Sequence, residues 1–244
     1  MRKRRPEPGL KITRLSIVIF LSAAFLALLI YIGLQPSFAP KSDTPHIALV
    51  MKSLANEFFL TMEHEARAHQ KSSDTEYTLT ANGIRNETDV SGQVRIIENM
   101  IAQDVDALIV APADSRALIP VCAQAIQQGI VVINIDNRFD QQTLSSKSLQ
   151  IPFVGPDNRK GAKMVGSYLA DHLQPGDGVA VIEGIPTAHN SQERKAGFIE
   201  AFRERALNIL TIRSAEWDME KANIVVAALI NEYPDVKGIA CAND

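Results

Sequence analysis

HIALVMKSLANEFF, residues 46–59, begins as an unbroken apolar run, turns through Lys52, Ser53 and Asn56, and ends in two phenylalanines at the start of a helix. Continuous rather than alternating apolar residues mark a strand buried on both faces, as in a parallel sheet covered by helices. Runs of strand length recur at Tyr77 to Ala81, Ala107 to Ala111, Val131 to Ile135, Pro152 to Gly155, Val179 to Glu183, Ile209 to Ile212 and Gly238 to Ala242. Between them lie segments with helical spacing, such as Val94, Ile97 and Ile101 on one face and Met164, Tyr168 and Leu169 on another. Strand and helix alternate throughout, which predicts an α/β fold of parallel sheets joined by right-handed crossovers.

In open sheets of this kind ligands bind just outside the carboxyl ends of the strands, so the polar residues that close each run are the candidates. Lys52, Ser53 and Asn56 close the first run, Asp136-Asn137-Arg138 the fourth, and Asn243-Asp244 the last; Trp217, the sole tryptophan, follows the seventh. A monosaccharide ring has apolar C–H faces and a rim of hydroxyls, so its site needs flat aromatic surfaces and multivalent polar partners. Phe58, Phe59 and Trp217 offer the faces. Asp136 accepts from adjacent hydroxyls, Lys52 and Arg194 donate, and Asn56 and Asn243 do both. Each residue also has a plain structural reading. A Phe pair opening a helix packs in a core, Asp-Asn after a strand makes a turn or a cap, Trp217 fills space between helices, and Arg194 and Lys52 are solvated charges.

The front of the chain differs from the rest. Leu15 to Leu34 is an uncharged run long enough to cross a bilayer as a helix. Arg2, Lys3, Arg4, Arg5, Lys11 and Arg14 precede it against a single acid, Glu7, so the N-terminus is expected to stay cytoplasmic and the remainder to be exported. Ser37-Phe38-Ala39 has the form of a processing site, but Pro40 follows at once, and an uncleaved anchor is the reading preferred. Residues 35–45 are proline-rich and read as a spacer. Without the six basic residues and one acidic residue of the N-terminal segment, the net charge moves from −3 to −8. An acidic exported part argues against a nucleic-acid partner. Cys122 and Cys241 fall in a helix and a strand of different lobes and are expected to be buried free thiols.

Five stretches, IALVMKSLANEFF, ALIVAPADS, GIVVINID, NSQERKAGF and VKGIACAND, follow one another in the order and spacing of the sugar-binding proteins of bacterial ABC importers. From about His46 to Asp244 the chain resembles the ribose- and allose-binding type I periplasmic binding proteins. The resemblance implies two Rossmann-like lobes, 46–151 and 152–244, joined by a hinge whose first crossing lies within Ile151 to Asp157 and closing on ligand. It implies ligand contacts at Lys52, Asn56, Phe58, Phe59, Asp136, Asn137, Arg138, Arg194, Trp217 and Asn243, with Phe59 and Trp217 on opposite faces of the sugar. Two departures put ribose itself in doubt: Ala111 stands where the ribose type has an asparagine, and Asn137 where it has an arginine. The family's further strands and at least one more ligand carboxylate are expected beyond Asp244.

An enzyme is not indicated: the sequence has no GxSxG, GxxxxGK[ST] or GxGxxG motif, and no cofactor is called for. His64-Glu65 and His69 stand five residues apart, about 140° around a helix, and do not read as a metal site. Asn86-Glu87-Thr88 is a glycosylation sequon by pattern only. A transcriptional repressor of similar fold is excluded by the apolar segment that stands in place of its DNA-binding head. The expectation is a periplasmic sugar-binding protein that serves the membrane subunits of an ABC importer and is anchored in the inner membrane by residues 15–34. A membrane-anchored sugar sensor signalling through a receptor partner is the alternative.

Overall fold

The computed structural model describes residues 44–243. The basic segment, the apolar run Leu15 to Leu34 and most of the spacer lie outside them; among the described residues no helix is long and apolar enough to cross a membrane. Strands and helices alternate as β1 (His46–Met51), α1 (Glu57–Ser72), β2 (Thr78–Gly83), α2 (Val90–Ala102), β3 (Ala107–Val110), α3 (Ile119–Gln127), β4 (Val131–Ile135), α4 (Gln141–Ser146), β5 (Phe153–Val154), α5 (Asn158–Ala170), β6 (Gly178–Glu183), α6 (His189–Glu204), β7 (Asn208–Ser214), α7 (Met219–Glu232) and β8 (Val236–Cys241). Every apolar run read from the sequence is a strand.

Two parallel sheets result, ordered β2-β1-β3-β4-β5 and β7-β6-β8. Burial follows the pleat. Ala48 and Val50 of β1 join Leu108, Val110 and Val132 under α2 and α3, while Leu49 and Met51 face Phe59, Met62 and Ala66 of α1. In the second sheet Val179 and Val181 pack on Phe198 and Phe202 of α6, and Ala180 and Ile182 on Leu229 and Val225 of α7. Because β5 pairs with β4, Phe153 and Val154 stay with the first sheet, beyond the expected lobe boundary at 151/152, and the chain passes to the second sheet after Val154.

Two expectations fail here. Met164 and Tyr168 of α5 are exposed, and the helix buries Ala162, Gly166 and Ala170 instead. Small residues on that stripe let α5 come close to α6, where an added methyl at Gly166 would lie 2.9 Å from Ala201 and 3.3 Å from Phe198. Of the two free cysteines, Cys122 is buried in α3 and its thiol is pushed up to about 12 by burial, whereas Cys241, on the outer strand β8, is exposed.

Five helices start on a side-chain cap: Asn56, Asp89, Asp140, Asp157 and Asp218 each accept from a backbone N–H of the first turn. Helix α6 has no such cap of its own.

Candidate functional site

Gln93 of α2, wholly buried, donates its amide to the carbonyls of Met51 and Ala111 and accepts from Ala113 N–H at 2.8 Å. One side chain thus ties the carboxyl ends of β1 and β3 together. Asn134 does the same after β4: its amide reaches the Asn137 carbonyl at 2.8 Å and its Oδ1 accepts from Phe139 N–H at 2.9 Å. The turn so pinned holds Asp136 at a φ of 57°, a left-handed conformation that aspartate tolerates better than most residues.

These ends open into a cavity of about 160 Å³ lined by Lys52, Asn56, Phe58, Phe59, Glu87 and Asp136 from the first lobe and Asn190, Arg194, Trp217 and Asn243 from the second. Lys52 is nearly buried, with Nζ 3.2 Å from Asp136 Oδ2 and 4.0 Å from a Glu87 oxygen. The same ammonium lies 5.6 Å from the Phe59 ring centre and 5.8 Å from that of Trp217, within cation–π range of both. Asn56 spends its Oδ1 on capping α1 through Phe58 N–H. Phe58 and Phe59 meet edge to face at 5.0 Å; Phe59 is sunk in the core while Phe58 is 55% exposed. Both the core reading and the site reading therefore apply to Phe59, and the open aromatic face belongs to Phe58.

From the opposite wall Arg194 of α6 donates Nε to Asn158 Oδ1 at 2.8 Å and a terminal N–H to the Ala242 carbonyl at 2.7 Å, and stacks 5.7 Å from Trp217. The guanidinium is locked in direction by its own lobe, leaving its remaining donors for the cavity. Trp217 stands in a left-handed conformation with φ 64°, uncommon for so large a side chain. The ring lies on the backbone of Gly184, where a methyl would fall 2.1 Å from it. Among the described residues its indole N–H has no hydrogen-bond partner.

Two expected contacts are elsewhere. Asn137 is wholly buried: its amide donates to the Pro112 carbonyl at 2.9 Å, and its Oδ1 accepts from Ser115 Oγ at 3.3 Å and from Asn190 N–H at 3.1 Å. The left-handed turn at Asp136 sends neighbouring side chains to different places, Asp136 to the cavity and Asn137 into the structure beneath it. Arg138 stacks on Phe153 at 4.4 Å and lines a separate depression near the hinge with Asp157, His189 and Glu193.

Glu87 and Asn190 were missed. Glu87 follows β2, so the rule for residues that close a strand applies to it too, though its letters also spell the sequon Asn86-Glu87-Thr88. Asn190 opens the NSQERKAGF stretch. Glu87 is 8% exposed, and its carboxyl is held above the ordinary value by burial and by the Asp136 charge, with Lys52 offsetting only part.

Residues 47–244 match the periplasmic binding protein domain. The chain is 52% identical over 214 residues to the D-ribose/D-allose-binding protein of Pseudomonas aeruginosa, covering 88% of this chain and 67% of that one. Among solved structures it is similar to an ABC transporter solute-binding protein from Burkholderia multivorans, at 51% identity and a TM-score of 0.80 over 82% of this chain and 71% of the other. It is also similar to a periplasmic solute-binding protein from Actinobacillus succinogenes with bound D-allose, at 36% identity and a TM-score of 0.75 over 82% and 69%. The chain spans about two thirds of the length of the curated relatives it matches. It belongs to the periplasmic binding protein family and has the α/β fold of the type I members.

Proposed function

We propose that this protein captures a monosaccharide, without altering it, in the cleft between its two lobes and presents it to an ABC-type importer. The observation that carries this reading is the cavity itself, lined by the aromatic rings of Phe58 and Trp217 from the two lobes together with the Asp136 carboxylate of one and the Arg194 guanidinium of the other. Such a site satisfies the two halves of a sugar's chemistry at once. Lys52, Asn56, Phe58, Phe59, Asp136, Arg194, Trp217 and Asn243 are the proposed contacts; Asn137 and Arg138 serve the frame around them. The D-ribose/D-allose-binding relative and the D-allose-bound structure support an importer's receptor over a sensor and make D-allose and D-ribose the first ligands to try.

A thermal-shift screen of the full-length protein against aldoses and polyols, followed by calorimetry, tests the reading. A sugar bound at 100 times its Kd raises stability by about 2.7 kcal/mol, which is expected for at least one monosaccharide; a flat response across the panel overturns the assignment. Residues 15–34 are proposed to anchor the protein in the inner membrane from the periplasmic side. Full-length protein should then fractionate with membranes and a form lacking residues 1–34 with the soluble phase.

A further inference from the structure

The loop after β2 places a second carboxylate in the cavity wall. Ile84 N–H donates to the Lys52 carbonyl at 3.2 Å and Ser53 Oγ to the Arg85 carbonyl at 3.0 Å, which clamps this loop to the one after β1. Asn86 Oδ1 accepts from Thr88 N–H and Oγ1 at 3.0 and 2.8 Å, so the turn carrying Glu87 is fixed locally as well. Glu87 is approached by the Ser53 backbone, the Asn56 side chain and Lys52, and Asp136 Oδ2 by Lys52 Nζ at 3.2 Å, yet among the described residues no well-formed hydrogen bond closes on either Glu87 oxygen or on Asp136 Oδ2. Both carboxylates are more than nine-tenths buried, at 8% exposure each. Buried carboxylates are normally satisfied. One ammonium with three donors, with the Ser53 and Asn56 groups beside it, falls short of two carboxylates that between them carry about eight lone-pair sites. Donors entering the cavity would complete them.

We propose that Glu87 is a ligand-contacting, specificity-determining residue: with Asp136, and Lys52 between them, it accepts hydrogen bonds from hydroxyls of a neutral polyol ring and turns away ligands with an anionic group at that end. The inference rests on the sugar-binding reading and extends it. When both are ionised, two carboxylates against one ammonium leave this end of the cavity with an excess negative charge, so a phosphate or carboxylate on the ligand meets repulsion and leaves the buried acceptors unpaired, which is discrimination by both means at once. Arg194, the other cation of the cavity, stands on the facing wall, where Asn158 and the Ala242 carbonyl fix its direction.

The test is calorimetry on the full-length protein with D-ribose and D-allose as neutral probes and D-ribose 5-phosphate as the anionic one. The parent should prefer the neutral sugar it binds, and Glu87→Gln, which keeps the shape and removes the charge, should weaken that sugar about tenfold, equivalent to about 1.4 kcal/mol, while narrowing the gap to the phosphate. Glu87→Asp should retain the preference for neutral ligand. Parent protein that binds D-ribose 5-phosphate as tightly as D-ribose overturns the proposal with no variant needed. So does a folded Glu87→Gln protein, checked by its melting temperature, that binds the sugar within twofold of the parent. Parent protein that binds none of the three probes instead removes the sugar-binding reading, and this inference with it.

Discussion

Asp136 reaches the cavity because Asn134 pins the turn after β4 and the backbone at Asp136 is left-handed; Arg194 reaches it because Asn158 and the Ala242 carbonyl hold its guanidinium. If each gives a charge-assisted hydrogen bond to the sugar, Asp136→Ala and Arg194→Ala should each weaken binding by about 1.5 to 3 kcal/mol, read by calorimetry. Glu87 also makes stability depend on pH. A carboxyl whose folded value is raised above the unfolded one contributes stability that is fully present below the ordinary glutamate value and is lost as pH rises through the folded value. The melting temperature of the parent relative to Glu87→Gln should therefore fall as pH climbs from about 4.5, and a difference that grows with pH would contradict the raised carboxyl. At this scale the sequence was legible where residue type alone decides the chemistry, as with Asp136, Arg194 and Trp217. It was not legible where one dihedral decides: nothing in the letters Asp-Asn tells which of the two side chains turns inward.

The central strands β1 and β6 were readable because they are buried on both faces and so write unbroken apolar runs, whereas the edge strands β2 and β7 stay part-exposed. The face of α5 was misread because sequence ranks Met164 and Tyr168 above Gly166, while packing against Ala201 rewards the smaller residue. The contact between the turn after β7 and the residue that closes β6 is another feature sequence could not show. Trp217 lies on Gly184, which follows β6 directly, and only a residue without a side chain leaves room for the indole. Gly184→Ala should push the ring off the cavity wall. Since Trp217 is the sole tryptophan, its emission reports this directly: a shifted spectrum together with weakened sugar binding is expected, and an unchanged spectrum would show that the ring does not depend on Gly184.

Across the whole molecule the two lobes are joined by more than the crossing at Gly155 to Asp157. Helix α6, which lacks a cap of its own, receives one from the other lobe: His189 N–H donates to Ser115 Oγ at 2.8 Å and Asn190 N–H to Asn137 Oδ1 at 3.1 Å. Separating the lobes leaves those amides to water, so the protein itself contributes to closure beside any ligand. Ser115→Ala removes one of the two acceptors, a loss of about 0.5 to 2 kcal/mol by the usual worth of a cap. The ligand-free protein should then be more open, with a larger radius of gyration by small-angle scattering; an unchanged radius would mean that the contact does not bias the lobes.

That borrowed cap gives the protein a built-in gauge of its own breathing. Amides of His189 and Asn190 can trade hydrogen for deuterium only during moments when the halves part, whereas neighbours deeper in the same helix must wait for the helix to unravel. Their relative pace in heavy water would count those moments directly, and sugar in the cleft should slow the first two while leaving the rest untouched.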